Sequence, residues 1–429
     1  MTKVLRVIDF IYVDKDSKLM GWCEASTDMF NSTIEYINTT NNFDSFNLNT
    51  ILKTTSEYKK LPKAKSAQNI IAVACQTWKS YIELDKLWNN QSNYEAKLIA
   101  SGKKVNVRYR KISGKPNKPS NSSKLKPVIF DNSCSSIKDG YLVISKKDKI
   151  KIPDNISISD FQQVRIKHIT GRKFKIEFVY KVEINNMNLD KNRFLSIDPG
   201  VSTVLTMIDS DGKAFLHNTN CVKYLKRYNH SINKKILKIK KKHVKIRKTK
   251  KYHASRRNNR LNDELHKMSR RVIDYCIQNN IGSIVVGYNK GWKSHSSLPK
   301  NVNKLFCAIG HSKFISLLSS KAELVNITVY TQNESYTSKC DFLADEKVGN
   351  KTSYLGKRLN RGLFSSSTKK LINADINGAC NILKKLVDSQ GMNTSIYSNL
   401  RVAGSLYLPD RDFDKKTIKI KRLNRKIVI

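Results

Sequence analysis

Between Val222 and Arg260 the chain carries 17 lysines and arginines and not one aspartate or glutamate. A helix over this stretch can hide Val222, Leu225, Ile232, Ile236 and Ile239, which fall on one stripe, but its other faces keep unopposed positive charge. A solvated face is the bland alternative. Such faces usually mix signs, and this one does not, so contact with a phosphate backbone is the better account. The rest of the chain adds to the imbalance: 80 Lys+Arg against 35 Asp+Glu give a formal net charge of +45 over 429 residues. Self-repulsion at that density calls for a polyanionic partner, and nucleic acid is the common one. If the arm binds phosphates, replacing Lys240, Lys241, Lys242 and Lys245 together by Gln weakens nucleic-acid binding. Each lost contact should change the salt slope of the binding constant by ~0.7–0.9, which a salt titration reads directly.

The length suits two to four domains, and 39% hydrophobic residues can build their cores. With 15 Phe, 18 Tyr and 4 Trp the chain is not a disordered polycation. No apolar run approaches the ~18 residues of a membrane span. Met1–Asp14 alternates and has no small-residue cleavage site, so a soluble, intracellular protein with no membrane partner is expected. The eight cysteines include no Cys-x-x-Cys pair, so no four-cysteine zinc ribbon is expected and reduced thiols are.

Residues 3–13 read as a strand, and 19–38 and 64–98 as amphipathic helices. Three prolines among Ser, Asn and Lys make 113–127 a spacer. From Val128 to Val182 short alternating runs separated by turns describe an antiparallel sheet, expected to close into a barrel with strand 3–13. From Phe194 the pattern becomes strand, tight turn, strand, Asp-Gly turn, strand, followed by a long helical arm over 219–279. A strand at 283–287, a helix at 303–323, a strand at 326–330, a loop at 333–372 and a helix from Ala374 complete it. A meander followed by helix–strand alternation describes an α/β sheet of ribonuclease H type. The expected fold is α+β.

Two carboxylates stand out in so basic a chain. Asp198 lies in an apolar strand before Pro-Gly, and Asp375 lies at the start of a helix. A strand-end turn residue and a helix N-cap are the ordinary explanations. As a pair they also suit hard-cation binding for phosphodiester hydrolysis, since two such ions take oxygen ligands.

The segment PheLeuSerIleAspProGlyValSerThrValLeuThr (194–206) resembles the first RuvC motif of the transposon-encoded TnpB nucleases, and LeuIleAsnAlaAspIleAsnGlyAlaCysAsnIleLeu (371–383) resembles their third. Segments 266–277, 285–293, 334–343 and 356–364 are similar to the branch associated with IS607-type elements, close to the eukaryotic and viral Fanzor proteins. Segments 76–81, 114–116 and 128–143 resemble the family more loosely. The resemblance spans nearly the whole chain.

It implies a split barrel with a helical recognition insertion, then an RNase H-like RuvC domain with a small target-binding insert. On this reading 1–18 and 106–192 form the wedge-like barrel, 19–105 the insertion, and 193–390 the RuvC domain. The insert takes about 336–372, and 391–429 are a basic tail. The implied activity is Mg²⁺-dependent, RNA-guided cleavage of double-stranded DNA beside a short motif, by an enzyme of a mobile element. The implied partners are a noncoding guide RNA and target DNA. The implied ligands of two Mg²⁺ ions, which Mn²⁺ could replace in vitro, are Asp198, Glu334 and Asp375. Many relatives place the second acid where this chain has Gly287; Glu334, in AsnGluSerTyrThrSerLys, matches the glutamate that takes over in the IS607-like branch. Gly287→Glu alone is therefore expected to do little. A guided repressor with a dead nuclease site is the alternative.

Many relatives also hold the insert together with four cysteines. Only Cys340 remains here, so no zinc is expected. Lys339, Lys347, Lys351, Lys357, Arg358, Arg361 and local hydrogen bonds are then expected to order the insert, with DNA helping. The expected nucleic-acid contacts are Lys79 in the insertion, Lys234, Lys235, Lys238, Lys240, Lys241, Lys242, Lys245 and Arg247 in the arm, and Lys339, Lys357, Arg358 and Arg361 in the insert. Trp78 suits either a core or a stacking role. A bacterial host would place the protein in cytoplasm or nucleoid; a eukaryotic or large-virus host would place it in nucleus or viral factory.

Overall fold

The computed structural model describes residues 3–102, 105, 112, 114–200, 203–217, 231, 243–289, 308–360 and 362–402, with backbone alone for 243–251 and 402. The chain divides into two compact units between Glu183 and Ile184.

In the first unit β1 (Lys3–Val13) leads into α1 (Lys18–Thr40), α2 (Ser45–Leu52), α3 (Ser56–Lys59) and α4 (Ala64–Ala100). Sheet strands follow: β2 (Val128–Asp131), β3 (Ser136–Lys138), β4 (Tyr141–Val143), β5 (Lys149–Lys151), β6 (Phe161–Thr170) and β7 (Lys173–Glu183). β1, the expected partner of the later strands, pairs antiparallel with β7 from Lys3↔Glu183 to Val13↔Lys173. Among the described residues no barrel closes, contrary to expectation. The sheet β1-β7-β6-β2 stays open, and β3-β4-β5 form a separate small sheet. The reason is length: β2 to β5 run only three or four residues, too short to carry a hydrogen-bond ladder around a barrel. The two sheets instead share a core in which Leu142, Ile144, Ile150 and Ile152 of the small sheet segment meet Val128, Phe130, Val164, Ile166, Phe174, Ile176 and Phe178.

α1 serves two cores. Leu19, Trp22 and Cys23 lie in the sheet core, while Met29, Phe30, Ile34 and Ile37 pack with α2, α3 and α4. α4 has 37 residues, ~55 Å of helix at 1.5 Å per residue, yet its buried positions stop at Trp78. Trp78 is therefore a core residue, with Lys118 Nζ 5.3 Å above its ring. Lys79, next in sequence, is exposed at the point where the helix leaves its core.

The second unit is built on β8 (Asp190–Pro199), β9 (Leu205–Asp209), β10 (Ala214–His217), β11 (Ile281–Gly287) and β12 (Thr328–Gln332), in the order β10-β9-β8-β11-β12. The first three are antiparallel, as the meander reading requires; β11 and β12 run parallel to β8. β9, β10 and β11 are buried along their whole length and β8 over Phe194–Ile197, while the edge strand β12 is only partly buried. On one side α5 (His243–Gln278) and α6 (His311–Leu324) cover Leu195, Ile197, Ile284 and Val286. On the other, α7 (Ala374–Gln390) covers Phe194 and Val285. The 333–372 stretch, read as a loop, holds a three-stranded sheet of β13 (Lys357–Asn360), β14 (Leu363–Ser365) and β15 (Leu371–Asn373). Residues 391–402 are not a tail: α8 (Ser395–Ser398) brings Tyr397 and, just after it, Leu400 into the α7 core. Among the described residues no helix is long and apolar enough to cross a membrane.

A buried cation sits beneath α5. Lys321 of α6, 8% exposed, donates to the His266 carbonyl at 2.6 Å and to Ser269 Oγ at 2.9 Å. Burial holds its pKa at about 8, below the ordinary 10.5. Between these values the unfolded chain binds the extra proton, so stability should rise with pH across that window and be insensitive to Lys321 below it. Lys321→Met should remove the rise and leave stability at neutral pH equal or higher, because a buried charge is exchanged for an apolar chain of similar length. Urea unfolding midpoints measured across the window check both.

Candidate functional site: a carboxylate cluster at the ends of parallel strands

Alternation along β8 sends Leu195 and Ile197 to the α5–α6 side and Phe194 and Ser196 to α7, where Ser196 Oγ donates to the Ala379 carbonyl at 2.6 Å. Asp198 continues that second set and reaches α7 at Gly378. A side-chain carbon on residue 378 would stand 2.8 Å from Asp198 Oδ2, so only glycine lets the carboxylate lie against the helix. Asp198 keeps some solvent exposure but is packed by protein on nearly every side. Its pKa is raised well above the carboxylate norm, first by desolvation, then by the charges of Glu334 and Asp375; Arg358 opposes them.

β11 is in parallel register with both neighbours, through Val286↔Ile197 on one side and Gly287↔Gln332 on the other. Gly287 therefore lies beside Asp198, and Glu334 follows two residues beyond the end of β12. The space a side chain on Gly287 would fill is taken by Glu334: an added carbon would stand 3.0 Å from Glu334 Oε2 and 2.7 Å from Ile382 Cδ1. Gly287→Glu alone, expected to do little to cleavage, would therefore carry a packing cost. The substitution must push Glu334 aside and set a second carboxylate against it. An overpacking cost of ~1–3 kcal/mol is expected, read as a lower melting temperature, with Gly287→Ala milder.

Asp375 enters from the first turn of α7. It is not the N-cap: Asn373 is, its Oδ1 accepting from the N–H groups of Asp375 at 3.0 Å and Ile376 at 3.2 Å. The Asp375 carboxylate is thus released from capping and accepts from Arg358 Nη2 at 3.3 Å. Arg358, expected to face nucleic acid, lies in β13 and points its guanidinium to this acid.

Asp198 feels the charges of Glu334 and Asp375, but the three carboxylates do not close on one point. Among the described residues no three His, Cys, Asp or Glu side chains stand close enough to hold a metal ion as they are. Asp375 is turned to Arg358, and Glu334 Oε1 accepts from Asn289 Nδ2 at 3.1 Å. The donor set is nevertheless all hard oxygen, with Asp198 of β8 against Gly378 and Glu334, just past β12, against Gly287. That chemistry fits Mg²⁺ or Mn²⁺.

Residues that sequence reasoning passed over position this cluster. Asn377 Nδ2 donates to the Cys340 carbonyl at 2.8 Å, and Asn381 Nδ2 donates to Thr337 O and Cys340 O at 2.9 and 2.8 Å. They clamp the segment after Glu334 onto α7. Two asparagines one turn apart inside a buried helix were the available signal, since Asn disfavours helix interiors without a tertiary reason.

The insert is ordered by buried carboxylates rather than by its surface cations. Glu346, 3% exposed, accepts from the Asp341 N–H at 2.7 Å, Lys351 Nζ at 3.0 Å and the Leu355 N–H at 3.3 Å. Asp341, fully buried, accepts from Ser366 Oγ and the Ser367 N–H, both at 2.8 Å. Lys351 is thus turned inward. Lys339 and Lys357 stay exposed, Lys339 with its Nζ 5.7 Å above the Tyr354 ring. Lys234, Lys235, Lys238, Lys240, Lys241, Lys242 and Arg361 lie outside the described residues, as do the side chains of Lys245 and Arg247.

Residues 177–293 match the family model OrfB_IS605, a probable transposase, and residues 311–382 match the TNB domain of Cas12f1-like proteins. No curated protein matches the chain. Among solved structures, a Cas12f1–sgRNA–target DNA complex covers 84% of this chain and 81% of its own, at 12% identity and TM-score 0.42. A CRISPR-Cas12f ternary complex gives 85% and 80%, at 11% identity and TM-score 0.33. C2c1 of Alicyclobacillus acidoterrestris with single-guide RNA gives 87% and 66%, at 10% identity and TM-score 0.35. Over these two segments the chain is similar to the IS605-type OrfB transposase family, followed by a TNB domain of the Cas12f1-like type.

Proposed function

We propose that this protein is an RNA-guided DNA endonuclease of a mobile element, cutting double-stranded DNA beside a short motif by RuvC-type hydrolysis with two divalent cations. The observation that supports the reading is that the charges of Glu334 and Asp375 reach Asp198 at one end of a sheet of ribonuclease H-type order, in a chain of net charge +45. The transposase and TNB matches support it from the family side. Placement in the IS607-type branch, near Fanzor, rests on the sequence motifs and on the exchange of an acid at Gly287 for one at Glu334.

When bound, Mg²⁺ would supply Lewis-acid stabilisation of the phosphate and a nucleophile from water. The protein's part is to hold the three carboxylates ready. Asp198 is fixed by β8 and by its contact with Gly378, in surroundings where its negative charge favours a nearby cation. Arg358 offsets the charge of Asp375 through one hydrogen bond to Oδ1, and Asp375 would be the third carboxylate available to a bound cation. Sequence selection would come from base pairing by the guide, with Lys79, the arm and the insert cations holding the backbones.

A chain this basic should purify with its RNA and lose solubility when stripped of it. Sequencing the co-purifying RNA tests this. One discrete noncoding RNA is expected; a monodisperse, RNA-free protein stable at physiological salt contradicts the reading.

A further inference from the structure

We propose that Asn289 is a positioning residue of the cluster: its amide holds the Glu334 carboxylate in the space beside Gly287. The inference rests on reading Asp198, Glu334 and Asp375 as a divalent-cation site.

Glu334 lies two residues past the end of β12, and its side chain has three rotatable bonds, so ordering it costs side-chain entropy. Asn289 restricts that freedom by two bonds. The Glu334 backbone N–H donates to Asn289 Oδ1 at 3.2 Å. Because an N–H can only donate, this bond fixes which end of the amide is oxygen. Nδ2 must then face Glu334 Oε1, and it does so at 3.1 Å. The clasp has a rigid base, since the Tyr288 N–H donates to the Gln332 carbonyl at 2.8 Å and extends the β11–β12 pairing to the residue before Asn289. With Oε1 held, Oε2 lies toward Gly287.

The residue type suits the task. An amide donor orients a carboxylate without adding charge, whereas Lys or Arg would compete with the cation. Outer partners of this kind typically matter by ~10–100-fold in metal affinity. Asn289 stands in segment 285–293, whose family-like motif the sequence reading singled out without giving this residue a task.

The test is a double-mutant cycle on the full-length protein, with Mn²⁺ binding followed by electron paramagnetic resonance and folding followed by thermal melting. Asn289→Ala should weaken Mn²⁺ binding ~10–100-fold. Asn289→Gln, which moves the amide by one methylene, should fall between it and wild type. A positioning role predicts that Asn289→Ala adds nothing in a Glu334→Gln background, because it acts through that carboxylate; a merely structural role predicts additive losses. Wild-type Mn²⁺ affinity in Asn289→Ala, or additivity in the double variant, overturns the proposal. If Asn289→Ala does not fold, the Gln variant and its cycle decide by the same criteria. If Glu334→Gln itself binds Mn²⁺ like the wild type, the cation-site reading fails and takes the proposal with it.

Discussion

Glu334→Gln is expected to lower DNA cleavage by at least ~10²-fold and leave guided DNA binding intact. The substitution keeps the size of the side chain and an oxygen for Asn289 Nδ2, but removes the charge. Loss of an outer-shell partner at a metal site already costs ~10–100-fold, and loss of a ligand should exceed it. On the proposed function binding is spared, because base pairing and phosphate contacts, not the carboxylates, would supply affinity for DNA. A gel-shift titration beside a cleavage time course separates the two effects. Cutting at the wild-type rate would remove Glu334 from the mechanism.

Glu346→Ala is expected to unfold the insert while the five-stranded sheet survives. Its carboxylate accepts two backbone N–H groups and the Lys351 ammonium from a site 3% exposed. Lys351 can turn to water; the Asp341 N–H, inside the core, cannot. Breaking such a centre typically costs ~3–5 kcal/mol, enough to open a small three-stranded sheet locally. Hydrogen exchange should show lost protection over residues 341–366 and unchanged protection in β8 and β11. Uniform protection in the variant would mean that the insert is held by its apolar contacts, Phe342, Phe364 and Ile372, instead.

The strands and helices that position the cluster were legible because they obey local rules. Alternation and turns marked β8 to β10, and continuous apolar runs marked β11. Asp198 and Asp375 stood out as acids in a basic chain, and Glu334 emerged only from a family resemblance. What the sequence could not show is held by bonds between distant positions: Asn289 to Glu334 across 45 residues, Asn377 to Cys340 across 37, Asn381 to Cys340 across 41. No periodicity encodes such pairs. The expected barrel failed for a related reason, since alternation identifies strands but not whether ladders of three or four residues can close. Nothing in the local sequence marks Glu346; only the fold encloses it.

The central claim is that Asp198, Glu334 and Asp375, at one end of this sheet, serve to cut DNA chosen by a guide RNA. The direct measurement is cleavage of a plasmid by the protein purified with its RNA, in Mg²⁺, with the guide segment either matching the plasmid or scrambled, and with an Asp198→Asn control. The account predicts a double-strand break only for the matched guide, and none with Asp198→Asn or with EDTA. Binding to the matched plasmid without cleavage by the wild type would contradict the nuclease and favour a guided repressor; cleavage indifferent to the guide would contradict RNA guidance.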